Sequence, residues 1–97
     1  MIQVHETFVC RPGNAGKMAK LCKEFMGDFP ETVAVLTDMT GQYHRVIMIN
    51  KFENLADYEK SFEKWKNPTP EMQKMNEAFK DMNEMYTSGT REIYKVW

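Results

Sequence analysis

Two cysteines and two histidines are all that the 97-residue chain holds of either type, and none stands at metal-ligand spacing from another. A closed metal site built from one chain is therefore not expected. Cys10 ends a strand-like alternation and Cys22 falls on the apolar stripe of a helix, so both read as buried free thiols. The five glycines form no phosphate-cradling loop, and no serine sits in a nucleophile elbow. A formal net charge of -1 gives no electrostatic basis for binding nucleic acid or an acidic membrane surface. No stretch approaches the roughly 20 apolar residues of a membrane span. Met1 leads directly into the alternating Ile2-Gln3-Val4, without the basic region and apolar run of a signal peptide, and the expected location is the cytoplasm.

What is present is organised around Tyr43 to Glu59, where the apolar run Val46-Ile47-Met48-Ile49 leads into a helix start at Asn54. Successive strand residues face opposite sides of a sheet, so apolar residues at both parities call for cover on both faces. One helical layer covers one face. A chain of this length has no strands for a second sheet, which points to a second copy of the chain and a homodimer burying on the order of 2,000 Å² or more.

In order, Ile2 to Cys10 alternates as a strand with Ile2, Val4, Phe8 and Cys10 on one face, and Glu6 breaks that apolar face. Arg11-Pro12-Gly13 ends it, and Asn14 is placed to cap a helix. Met18, Leu21, Cys22, Phe25 and Phe29 follow at helical spacing, predicting three to four turns stopped by Pro30. Thr32 to Met39 predicts a second strand, joined by a short turn at Thr40-Gly41-Gln42 to the central strand, which ends at Phe52. Leu55, Tyr58, Phe62 and Trp65 mark the inward side of a second helix capped by Asn54. Pro68 and Pro70 interrupt it. Met72, Met75, Phe79, Met82 and Tyr86 form one continuous seam, predicting a third helix of about four turns. Thr90 to Trp97 alternates as the last strand.

Strand, helix, strand, strand, helix, strand is the split β-α-β, ferredoxin-like order of an α+β domain, with the first and third strands central in a four-stranded antiparallel sheet and the helices on one face. The 97 residues make one such domain. The first strand with Arg11-Pro12-Gly13, the central strand running into Lys51-Phe52-Glu53-Asn54-Leu55-Ala56-Asp57-Tyr58-Glu59, and the helix after a proline-bearing break resemble the dimeric α/β-barrel superfamily. Its antibiotic biosynthesis monooxygenase-like and NIPSNAP-like members are the most similar. The resemblance implies a ferredoxin-like chain pairing into a dimeric α/β barrel, and it leaves activity open, since members include cofactor-independent oxygenases acting on quinols or polyketides, haem-degrading enzymes and domains without an assigned reaction. For the haem-degrading branch, Trp65 fits the helix tryptophan. Glu6 stands where those enzymes carry Asn, and no histidine occurs near Met75 to bind iron, so neither haem nor another cofactor is expected.

Candidate chemistry rests on few side chains. His5 and His44 lie on strands without an acidic or thiol partner at motif spacing and read as structural or interface residues. Glu6, on a face its neighbours place under the helices, needs a cation, and Arg45 or Arg91 on flanking strands is in position to supply it. The ion-paired structural role and a functional role stand side by side here. In the functional one, Glu6 floors a pocket between sheet and helices with Arg45, Trp65, Met75 and Tyr94, and serves as base or polar anchor for a small aromatic or apolar ligand. Two classes of function follow: a dimeric ligand-binding protein without assigned activity, or a cofactor-independent monooxygenase acting on a quinol or polyketide-like phenol.

Overall fold

The computed structural model describes all residues from Met1 to Trp97. Its elements are β1 (Ile2–Cys10), α1 (Ala15–Met26), β2 (Thr32–Thr37), β3 (Arg45–Phe52), α2 (Leu55–Ser61), α3 (Pro70–Ala78) and β4 (Tyr86–Lys95), with 3-10 turns at Phe62–Trp65 and Met82–Glu84. The strands form one antiparallel sheet in the order β2-β3-β1-β4, so β1 and β3 are central. This is the ferredoxin-like α+β arrangement expected from the pattern, and the sheet is open.

Register decides which residues meet. Glu6 lies opposite Met48 on one side and Arg91 on the other, and Val4 lies opposite Asn50 and Ile93. Directly opposed residues share a face, so Val4, Glu6, Phe8, Val46, Met48, Asn50 and Arg91 all look toward the helices. The core forms on that side: Val4, Met18 and Val46 are fully shielded, and Cys10, Cys22 and Met48 join them. The other face carries His5, Thr7, Val9, Arg45, Ile47, Ile49 and Tyr94, with no helix upon it. Leu36 and Tyr94 remain more than 40% exposed there (43% and 47%).

Local chemistry sets the helix ends. Asn54 accepts from the Asp57 amide at 2.8 Å, and Asp57 adds a negative charge to the first turn of α2. Thr69 caps α3, and Pro70 is its first residue, where a missing N–H costs nothing. Asn14 occupies the cap position of α1, but its side chain accepts no cap hydrogen bond.

Several segments differ from the sequence expectation, among them the second helix, which ends at Ser61 and is followed by the Phe62–Trp65 3-10 turn. The helical spacing in the sequence runs on to Phe29, whereas α1 ends at Met26 and the Phe29 amide closes a turn onto the Met26 carbonyl at 3.2 Å. The β2–β3 connection spans residues 38–44 rather than three residues. Asp38 Oδ1 accepts from the Arg45 amide at 2.8 Å, while Gly41 (φ 98°) and His44 (φ 65°) take left-handed conformations that lengthen the turn. The third helix stops at Ala78, and its Met82 continuation is a 3-10 turn that keeps the inward spacing without α-helical bonds. Tyr86 is consequently a strand residue. The Arg11 amide donates to the Met85 carbonyl at 2.8 Å and the Tyr86 ring packs on Phe8 at 5.0 Å, so β4 begins four residues before Thr90.

Candidate functional site

A cavity of about 310 Å³ lies between the sheet and the helical layer, and 12 of its 19 lining residues are hydrophobic. That volume is at the lower end of the range for small-molecule sites. Its floor is the helix-facing side of β1 and β3, with Glu6 and Asn50 set among Phe8, Met48 and Phe52. Tyr58, Phe62 and Trp65 come from α2 and the 3-10 turn after it, Met75 from α3 and Phe79 from the residue just past its end. The N-cap at Asn54 and the prolines at 68 and 70 thus bring the aromatic stripe and the methionine seam to one space.

Glu6 is the carboxylate of the floor. Arg91 Nε lies 3.3 Å from its Oε1, with the two side chains 52% and 25% exposed respectively. In that partly wet setting the pair contributes on the order of 1 kcal/mol or less. The arginine also reaches upward: its Cζ is 5.8 Å from the Phe62 ring centroid and 6.0 Å from that of Tyr58. Such contacts hold a guanidinium against aromatic faces.

Tyr58 is wedged between Phe52 and Phe62, with ring centroids 5.1 and 5.0 Å away. Its hydroxyl is buried and has no hydrogen-bond partner in the chain. Burial pushes its pKa above the usual phenol value, the Glu6 charge pushes the same way, and Arg91 opposes both. A buried hydroxyl without a partner costs about 1–3 kcal/mol, and such a group calls for a specific explanation.

Lys64 stands at one side of the cavity. Its Nζ is 2.6 Å from Glu31 and 4.2 Å from the Phe29 ring centroid, joining the turn after α2 to the approach to β2. Cys22 also touches the cavity. Burial, reinforced by Cys10 and Glu6, pushes its thiol up to about 11, so it stays protonated and unreactive at neutral pH. Cys10 donates to the Met18 thioether at 3.5 Å and is likewise a free, buried thiol. No three His, Cys, Asp or Glu side chains gather closely enough to hold a metal ion.

Of the residues singled out in the sequence, Glu6, Trp65 and Met75 are brought together here. Arg45 and Tyr94 are not. Arg45 pairs with Val9 in the register and so points to the bare face, where its Nε is buried without a partner. Tyr94 lies on that face too, edge-on to His5 at 4.8 Å and donating to Glu92. The cation at Glu6 is therefore Arg91 and not Arg45. Asn50 and Lys64 line the cavity without a motif to mark them, and Tyr58 joins them from the inward stripe of the second helix.

With the geometry in view, comparison with known proteins gives one kind of match. No family model matches the chain, and no curated protein matches its sequence. Among solved structures, an uncharacterized NIPSNAP domain protein from Burkholderia xenovorans superposes with a TM-score of 0.79 at 10% identity, covering 100% of this chain and 95% of that one. A NIPSNAP family protein from Agrobacterium tumefaciens gives 0.78 at 15% identity, covering 97% and 90%. A Deinococcus radiodurans protein that carries the provisional name of an antibiotic biosynthesis monooxygenase gives 0.63 at 15% identity, covering 100% and 93%. The chain has their fold. The ferredoxin-like fold expected from the sequence thus holds, with NIPSNAP proteins among the structures that share it. At these identities the likeness carries neither activity nor substrate. No helix is long and apolar enough to cross a membrane.

Proposed function

We propose that this protein is a cytoplasmic homodimer that binds a small aromatic or apolar ligand in the cavity between sheet and helices, with Glu6 as the polar anchor. The observation that carries this reading is the composition of the 310 Å³ cavity: a mostly hydrophobic wall with Glu6 on its floor, the other charged groups of the lining, Glu31 and Lys64, being paired with each other at one side. Such a space favours a flat apolar body, and its few polar groups fix orientation. Arg91 holds Glu6 in place, while Trp65 and Met75 supply contact area and an adaptable surface. Pairing of two copies is supported by the uncovered sheet face, where Ile47, Ile49, Leu36 and Tyr94 have no partner element in the chain.

The test uses the fact that the chain has two tryptophans, Trp65 at the cavity and Trp97 fully exposed. In a Trp97→Phe background, 1-naphthol should change Trp65 fluorescence saturably with one site per chain. Glu6→Gln should weaken that binding about tenfold, the scale of one lost hydrogen bond to a charged group. A linear, unsaturable response would remove the reading.

A cofactor-independent oxygenase is the second reading. It is favoured by the aromatic, largely apolar wall beside a carboxylate, the setting in which an electron-rich phenol or quinol is deprotonated and kept from water. Oxygen uptake on adding a hydroquinone, lost in Glu6→Gln, distinguishes it from simple binding.

A further inference from the structure

We propose that Lys64 forms a second polar subsite of this cavity, one that selects ligands carrying an ionised carboxylate on an aromatic or apolar body. The inference rests on the cavity being a ligand site and adds to it the class of ligand.

Lys64 stands where two kinds of space meet. It lines the apolar cavity, and with Glu31, Phe52 and Ser61 it also lines a neighbouring cleft that is mostly polar. A ligand lying across that boundary keeps its body among hydrocarbon and its head among polar groups. The ammonium is held in place there: Nζ lies 4.2 Å from the Phe29 ring centroid and 6.0 Å from that of Trp65, both of them rings of the cavity wall. It is also open to a ligand. The Lys64 side chain is 36% exposed, against 20% for its partner Glu31. A lysine ammonium carries three donors, and Lys64 gives one of them to Glu31 at 2.6 Å. The others are left for a carboxylate oxygen to accept.

Contact, rather than long-range attraction, sets the sign of the head group. The polar cleft is formally neutral, with Lys51, Lys60 and Lys64 balanced by Glu31, Glu53 and Asp57. Of these, Glu31 and Lys64 also line the cavity, and Lys64 is the more exposed and has donors to spare. A cationic head finds less. Glu31 is covered and already paired, and Glu6 on the floor has its cation in Arg91. An acid of suitable shape would lay its rings against Phe29, Trp65 and Met75 and bring its carboxylate, ionised at neutral pH, to the Lys64 ammonium. Glu31 then shares that ammonium with the ligand. It repels the bound carboxylate even as it positions the lysine, so the two members of one ion pair act on the ligand with opposite signs.

The probe is 2-naphthoate, with 2-naphthamide as the uncharged compound of the same shape and 2-naphthylmethylammonium as the cation. Trp65 fluorescence at pH 7 in the Trp97→Phe background follows binding of each. Naphthoate should bind about tenfold tighter than the amide, the scale of one charge-assisted hydrogen bond, and the ammonium compound more weakly than the amide. The ratio of naphthoate to amide affinity isolates the charge from any general change in the wall. Lys64→Met should bring that ratio to about one, and Glu31→Gln should raise it severalfold. If the ion pair only props the wall, both variants weaken all three compounds alike and leave the ratio where it was, which overturns the subsite. Equal affinity for naphthoate and amide in the parent protein, or tighter binding of the ammonium compound, overturns it too while the ligand site stands. Failure of all three compounds to bind sinks the ligand site and the subsite together.

Discussion

Glu6 and Arg91 stand directly opposite each other on neighbouring antiparallel strands, with the guanidinium Nε 3.3 Å from the carboxylate. The charged break in an otherwise apolar strand face is thus answered across the sheet by the next strand. Because half of the Arg91 side chain meets water, the pair is screened. Arg91→Met should change stability by no more than about 1 kcal/mol, and the difference should shrink further near 1 M salt. Thermal melts at low and high salt check this, and a loss above about 3 kcal/mol would mean that the carboxylate is far drier than its geometry indicates.

Adjacent residues of β3 should respond oppositely to a charge. Val46 is fully buried under the helices, so Val46→Asp should destabilise the fold by more than about 4 kcal/mol. Ile47 faces the bare side of the sheet, so Ile47→Asp should leave the monomer folded and abolish pairing. Circular dichroism reports the first outcome and light scattering the second. A wild-type monomer at micromolar concentration would remove the dimer altogether.

The thiol of Cys22 gives the chain a pH dependence of definite sign. Its pKa rises from 9.0 to about 11 on folding, chiefly through burial, so the native state holds the proton more tightly than the unfolded chain. This stabilisation is fully present below pH 9 and is lost as pH rises from 9 toward about 11. Denaturant melts across that window should show falling stability, with a shallower fall in Cys22→Ala. A thiol reagent at pH 8 should label the unfolded chain readily and the native chain hardly at all. Rapid native labelling of Cys22 would contradict its burial.

The sheet order and the position of Glu6 were legible because they depend on alternation and on residues that cannot sit in a ladder, such as Pro12 and Pro30. Asn54 was equally plain, since an N-cap is a local device. The end of the third helix was hidden because Met72, Met75, Phe79 and Met82 keep their inward spacing through a 3-10 turn, and apolar spacing alone does not distinguish that turn from an α-helix. Tyr86 was drawn into β4 by bonds to β1, a long-range effect invisible to periodicity. The choice between Arg45 and Arg91 required knowing which parity of β3 faces the helices, and an apolar run at both parities does not reveal it. The Tyr58 hydroxyl reads in sequence as one more aromatic on a stripe. Only three-dimensional packing shows that nothing answers it.

Two glycines make a final, opposed pair. Gly16 lies inside α1 with open space where a Cβ would stand, so Gly16→Ala should stabilise the chain by roughly 0.5–1 kcal/mol through helix propensity and a less flexible unfolded state. Gly41 holds φ at 98°, a conformation that an L side chain adopts only with strain, and an added Cβ would approach Arg45 Nη2 to 2.9 Å. The arginine end can swing aside, but the backbone strain remains, so Gly41→Ala should cost roughly 1–2 kcal/mol. The loss should come with disorder in residues 38–44 and weaker protection of the Arg45 amide, which is held there by Asp38. Hydrogen exchange and melting curves on the two variants read both effects. Equal and small changes in both would mean that the long β2–β3 connection does not depend on its left-handed turn.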